Sequence, residues 1–175
     1  MPIDVRSKIT GEYLSSCKKY TLEPGYIYIS RKPSIITTIL GSCISVTLFD
    51  RVNLYGGMNH YLMASKPGIE GKSSKYGNNA IRALYRSMLD LGSLHINLTA
   101  RVLGGSHTPC HDLSEKIAQR NISMARAMLD NLGIPIESED VGGVNGRKIK
   151  FYTEFNYYEL KRLSRSFDLC SIDFD

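Results

Sequence analysis

ITTILGSCISVTLFDRVNLYGGMNHYLM, residues 36–63, places three strand-like runs in series. Ile35 to Leu40 is short and mostly β-branched, the pattern of a buried strand. Gly41-Ser42 interrupts it. From Cys43 to Phe49 the chain alternates, with Ile44, Val46 and Leu48 on one face and Cys43, Ser45 and Thr47 on the other. Asp50 to Asn53 has turn composition, and Tyr55 to Met63 reads as the next strand, with a bulge or close backbone approach permitted at Gly56-Gly57. Cys43 therefore lies at a strand start on the more polar face. Met58, His60 and Leu62 share one face of the following strand.

A thiol needs a base or a cationic neighbour to act as a nucleophile at neutral pH. Adjacent strands would bring Cys43 and His60 within reach of one another. Small residues before the cysteine, Gly41 and Ser42, leave room for a substrate, and the backbone N–H groups there can face an oxyanion. A third group should orient the imidazole; Thr37 and Thr38 on the preceding strand are both candidates, and Asp50 reads as a turn residue. Against this, free cysteine is commonly a small buried hydrophobe, and a histidine in an apolar strand is commonly a packed residue.

Outward from this stretch, residues 1–22 are polar and aperiodic and are expected to form a poorly ordered arm. Pro24-Gly25 marks a turn, and Tyr26 to Ser30 a short strand. Residues 64–75 have loop composition. A helix follows with Ile81, Leu84, Tyr85, Met88 and Leu89 at helical spacing, capped by Asn78 or Asn79. Leu98, Ala100 and Val102 alternate as a strand ending at Gly104-Gly105. A second helix, capped by Asp112 or Ser114, carries the stripe Ile117, Asn121, Ala125, Met128 and Leu132 and closes at Gly133. Two further strands, 134–141 and 147–153, flank Asn145-Gly146, which signals a hairpin. Residues 23–160 are expected to form a single domain, and 161–175 a tail. The fold class is α/β (mixed α+β), a sheet-centred layered sandwich with two main helices outside.

The chain of 175 residues is 42% apolar and carries a formal charge of +5. Its basic residues are scattered, which argues against nucleic acid as a partner. It shows no secretory signal and no span long enough for membrane insertion, so a cytoplasmic location is expected. Cys17, Cys43, Cys110 and Cys170 are widely spaced and read as free thiols. His107, Cys110 and His111 have metal-ligand types, but a zinc site needs four ligands, so the segment reads as a solvent loop and no metal is expected.

Several further segments occur in a fixed order: Thr37-x-x-Leu40-Gly41-Ser42-Cys43, Gly56-Gly57-Met58-Asn59-His60, Lys75-Tyr76-Gly77-Asn78-Asn79-Ala80, Val102-Leu103-Gly104-Gly105, Ile117-x-x-Arg120-Asn121, and Gly142-Gly143-x-x-Gly146-Arg147-Lys148-Ile149. Together they resemble the chemoreceptor glutamine deamidases of the CheD family over roughly residues 22–155. The resemblance implies a fold like the catalytic domain of cytotoxic necrotizing factor. It implies a triad of Cys43 as nucleophile, His60 as general acid and base, and Thr37 to orient His60. Thr37 is selected over Thr38 because it lies six residues before the cysteine, as in the family pattern. Gly41 and Ser42 would support the oxyanion. The implied substrates are glutamine side chains of methyl-accepting chemotaxis receptors, and a CheC-type phosphatase is an implied partner; no cofactor is called for. A regulatory module for such a phosphatase, and a cysteine hydrolase resembling a receptor methylesterase, are the alternative readings. Ser106, Asn156 and the segment beyond about residue 160 depart from the family pattern.

Overall fold

The computed structural model describes residues 4–65, 73–109 and 111–164. Among these residues nine strands form two sheets. One is five-stranded, in the order β2 (Ile27–Ser30), β5 (Tyr55–Asn59), β4 (Ile44–Asp50), β6 (Leu98–Gly104), β7 (Ile136–Val141). The other is four-stranded, in the order β1 (Lys18–Thr21), β3 (Ser34–Leu40), β8 (Gly146–Tyr152), β9 (Tyr157–Leu163). The first two strands of the quoted stretch, β3 and β4, therefore belong to different sheets, and Gly41-Ser42-Cys43 crosses between them. Two long helices, α2 (Gly77–Asp90) and α3 (Asp112–Leu132), cover one face of the five-stranded sheet. The layered sandwich expected from the sequence thus has two sheets at its centre, with both helices on one side.

Strand alternation builds a core on each side of the five-stranded sheet. Ile44, Val46 and Leu48 of β4, with Leu98, Ala100 and Val102 of β6, pack under Ala80, Ile81, Leu84 and Met88 of α2 and Ile122, Ala125 and Leu129 of α3. Met58 and Leu103 face the other way, onto Ile36, Leu40, Ile149 and Phe151 of the four-stranded sheet. Both faces of β4 are covered, and all seven of its residues are buried.

Several expectations are corrected. The arm expected to be poorly ordered is structured from residue 4: a short helix α1 (Gly11–Ser16) is capped by the Thr10 hydroxyl, and β1 pairs in parallel with β3. Tyr13 of α1 packs its ring 5.1 Å from that of Phe155, so the segment covers apolar surface that polar composition alone did not reveal. Asn145-Gly146 does not close a hairpin, because β7 and β8 lie in different sheets. Gly142 and Gly143, both at positive φ, turn the chain across, and buried Arg147 staples the crossing. Its guanidinium donates to the Asp140 carboxylate at 2.6 Å and to the Gly142 carbonyl at 2.8 Å. The hairpin is instead β8–β9, turning at Asn156 with φ 48°.

The cap positions are Tyr76 for α2 and His111 for α3, so the polar residues expected there lie inside the first turns. The buried stripe of α3 is Ala118, Asn121, Ile122, Ala125 and Leu129, rotated from the expected one so that Ile117, Met128 and Leu132 sit at its margin. β9 runs into the expected tail as far as Leu163. Residues 66–72 of the expected loop, Cys110, and residues 165–175 with Cys170 lie outside the described residues.

Candidate active site

Cys43 immediately precedes β4, and His60 immediately follows β5. Thr47 pairs with Met58, and the ladder resumes where Ile44 pairs with Tyr61 in the same register. That register sets Ser45 opposite His60 and makes Cys43 its diagonal neighbour. Diagonal residues on one face of an antiparallel pair stand about 7 Å apart, which long and aromatic side chains span. Both are on the face toward the second sheet: Cys43 packs on the Met58–Leu103–Leu40 core, and His60 bonds to a residue of β3. Gly104 lets the backbone come this close, since a Cβ there would run into the Cys43 carbonyl oxygen. That carbonyl accepts the Gly105 N–H at 2.8 Å, and the Gly41 carbonyl accepts the Ser106 N–H at 2.8 Å.

The partner of His60 is Thr38. Its Oγ1 lies 2.9 Å from Nδ1 of the imidazole and donates its own proton to the Leu22 carbonyl at 2.8 Å. With that proton committed, the hydroxyl can only accept from the ring. This places the imidazole proton on Nδ1 and the lone pair on Nε2. Nε2 is buried and has no hydrogen-bond partner. The expectation for Thr37 is corrected by strand parity. Thr38 shares its face with Ile36 and Leu40, toward the opposite sheet, whereas Thr37 shares its face with Ile35 and the exposed Ile39. Asp50 is a turn residue, as expected, and accepts the Val52 and Asn53 N–H groups at 2.9 Å at the far end of β4.

Burial dominates the electrostatics of the pair. It pushes the Cys43 thiol above its ordinary value, against its own backbone N–H. It pulls the His60 imidazole below its ordinary value, against the Leu22 carbonyl and the charge of Glu23. Both directions favour the neutral thiol and the neutral imidazole over a thiolate–imidazolium pair. Proton transfer from sulfur to Nε2 therefore belongs with the attack on substrate. Cys43 is only partly exposed.

Residues 63–162 match the sequence model of a family described as CheD chemotactic sensory transduction. Over 141 residues the chain is 37% identical to a Rhodospirillum rubrum protein named probable chemoreceptor glutamine deamidase CheD, a match covering 80% of each chain. It is 33% identical over 146 residues to a Geobacter sulfurreducens protein named probable chemoreceptor glutamine deamidase CheD 2, covering 83% of this chain and 90% of that one. This chain belongs to the CheD family. Within this CheD fold, three supports of the site went unread in the sequence. Leu22 contributes a main-chain carbonyl, which no side-chain pattern marks. The Pro24-Gly25 turn holds the backbone of His60: Gly25 N–H donates to the His60 carbonyl at 2.7 Å, and His60 N–H to the Tyr26 carbonyl at 3.1 Å. Asn121 reaches the site from α3, where helical spacing put it in the inward stripe but gave its amide no partner.

Proposed function

We propose that this CheD protein converts glutamine side chains of methyl-accepting chemotaxis receptors to glutamate with release of ammonia, through a thioester on Cys43. The activity is the one named for its relatives. The observation that carries the site assignment is a single-tautomer imidazole, held by Thr38 and the Leu22 carbonyl, whose unpartnered Nε2 lies on the same face as the only thiol beside it among the described residues.

His60 Nε2 takes the thiol proton as Cys43 Sγ bonds to the carboxamide carbon. Backbone donors at the Gly41–Cys43 turn receive the oxyanion. Collapse of the tetrahedral adduct breaks the C–N bond, and His60 returns the proton to the departing ammonia. Water, deprotonated by His60, then attacks the thioester, giving glutamate and the free thiol. Thr38 acts through orientation: being neutral, it stabilises the imidazolium less than a carboxylate would.

Among the described residues no helix is long and apolar enough to cross a membrane. The protein acts in the cytoplasm, with a CheC-type phosphatase as a second partner; co-elution with such a phosphatase tests that contact. Mass spectrometry of a chemoreceptor cytoplasmic fragment tests the activity. Deamidation adds ~1 Da per site, whereas a methylesterase would remove ~14 Da. A fragment left unchanged by the wild-type protein defeats the proposal.

A further inference from the structure

The Arg120-Asn121 segment is left unexplained by the reaction above, and its asparagine carries the inference. Asn121 is 1% exposed and sits in the apolar stripe of α3 between Ala118, Ile122 and Ala125. Its side-chain Nδ2 has two protons, and both are committed. One goes to the Ser42 carbonyl at 2.9 Å and the other to the Leu62 carbonyl at 2.8 Å. The first carbonyl belongs to the residue before Cys43, the second to the segment that follows His60. Tyr61, between His60 and Leu62, donates its phenol to the main-chain carbonyl of Asn121 at 2.6 Å. A single residue of α3 therefore ties the thiol-bearing turn to the imidazole-bearing segment.

The bond to Ser42 has a second consequence. The Ser42 carbonyl and the Cys43 N–H belong to one trans peptide and point in opposite directions. α3 lies on the helix-side face, so a carbonyl drawn toward Asn121 aims the Cys43 N–H at the opposite face, where the thiol and His60 lie. Among the described residues that N–H donates to no other residue. It is the donor placed to receive the oxyanion that forms on the carbon attacked by Cys43. The two protons on its one amide nitrogen let this side chain hold both carbonyls. Leucine has no donor, and aspartate would set an acceptor against two acceptors.

We infer that Asn121 is a positioning residue that orients the Ser42–Cys43 peptide for oxyanion binding and locks the Cys43 turn to the His60 segment. The inference rests on the deamidase reading. Its test compares Asn121→Leu and Asn121→Asp, both close in size to asparagine, with the wild-type protein on a chemoreceptor fragment. The expected result is a fall in kcat of about 10–100-fold with KM within about twofold, because the donor acts on the transition state. Slower alkylation of Cys43 by iodoacetamide, with a midpoint moved to higher pH, is expected in the same variants without any substrate present. A folded Asn121→Leu with wild-type kcat and wild-type alkylation overturns the inference. If neither variant folds, exchange of the Asn121 side-chain amide protons in the wild-type protein decides: slow exchange supports the double bond to the two carbonyls, and exchange at the rate of a free amide overturns it. A wild-type protein that releases no ammonia defeats the deamidase reading alone, since the alkylation comparison still tests the hold on Cys43.

Discussion

On the face of β4 that meets α2 and α3, Ile44, Val46 and Leu48 sit in a mainly apolar core that also holds Tyr61 and, from α3, Asn121. On the face that meets β3, the same strand presents Ser45 and Thr47, with Cys43 at its start and His60 beside it. Polar groups on this second face remain buried without partners: Thr47 Oγ1, Thr99 Oγ1 and His60 Nε2. A buried polar atom left unpaired costs about 1–3 kcal/mol, and Asn121 Oδ1 carries that cost on the helix side as well, so the faces differ in which groups they hold. One side of the sheet supplies stability, and the other retains reactive groups that the first must support.

The comparison breaks most sharply at the reacting pair. Cys43→Ala and His60→Ala should each reduce ammonia release by more than about 10³-fold while the circular dichroism spectrum stays native. Turnover retained in either would move the chemistry off this face. On the helix side, Leu84→Ala should cost about 2–5 kcal/mol in urea unfolding, with kcat of the folded protein unchanged. A loss of kcat without a loss of stability would erase the division between the faces.

Within β3 the contrast narrows to neighbours. Thr38→Val removes the acceptor for the imidazole proton and should lower kcat about 10-fold or more, whereas Thr37→Val, on the outer face, should stay within about twofold. The reverse order, measured on the same receptor fragment, would return the orienting role to Thr37.

The smallest effect is in pH. Burial holds His60 below its ordinary value, so the base stays neutral to a lower pH, and the acid limb of kcat/KM should fall below about pH 6.5. For stability the sign follows from proton uptake. The unfolded chain protonates this histidine near pH 6.5 and the folded chain only below that, so stability contributed by neutral His60 falls as pH drops through that window. Thermal melts of wild type and His60→Gln at pH 7.5 and 5.5 should converge at the lower pH.

Periodicity made most strands and both long helices legible, because alternation and the 3.6-residue repeat follow from local geometry. It also put Cys43 and His60 on neighbouring strand segments, since one short turn joins β4 to β5, but left open whether the two share a face. Choosing between Thr37 and Thr38 needed the parity of β3 against a strand of the other sheet, and a count along the chain does not carry that. Asn145-Gly146 has the composition of a hairpin, yet the strands it joins are drawn to different sheets by their apolar faces. The order of residues 4–22 was hidden in part because the rings that pack on Tyr13, those of Tyr152 and Phe155, lie more than a hundred residues away.

The sequence by itself determined the strand and helix segments, the thiol and imidazole, and the family motifs, all of which depend on residue type and near spacing. Tertiary structure alone decided that Thr38 and the Leu22 carbonyl hold the imidazole, and that Asn121 reaches across from α3 to the carbonyls beside Cys43 and His60. Those contacts join segments distant in the chain through backbone atoms. Backbone carbonyls are the same at every residue, so only the folded path of the chain selects which of them meet.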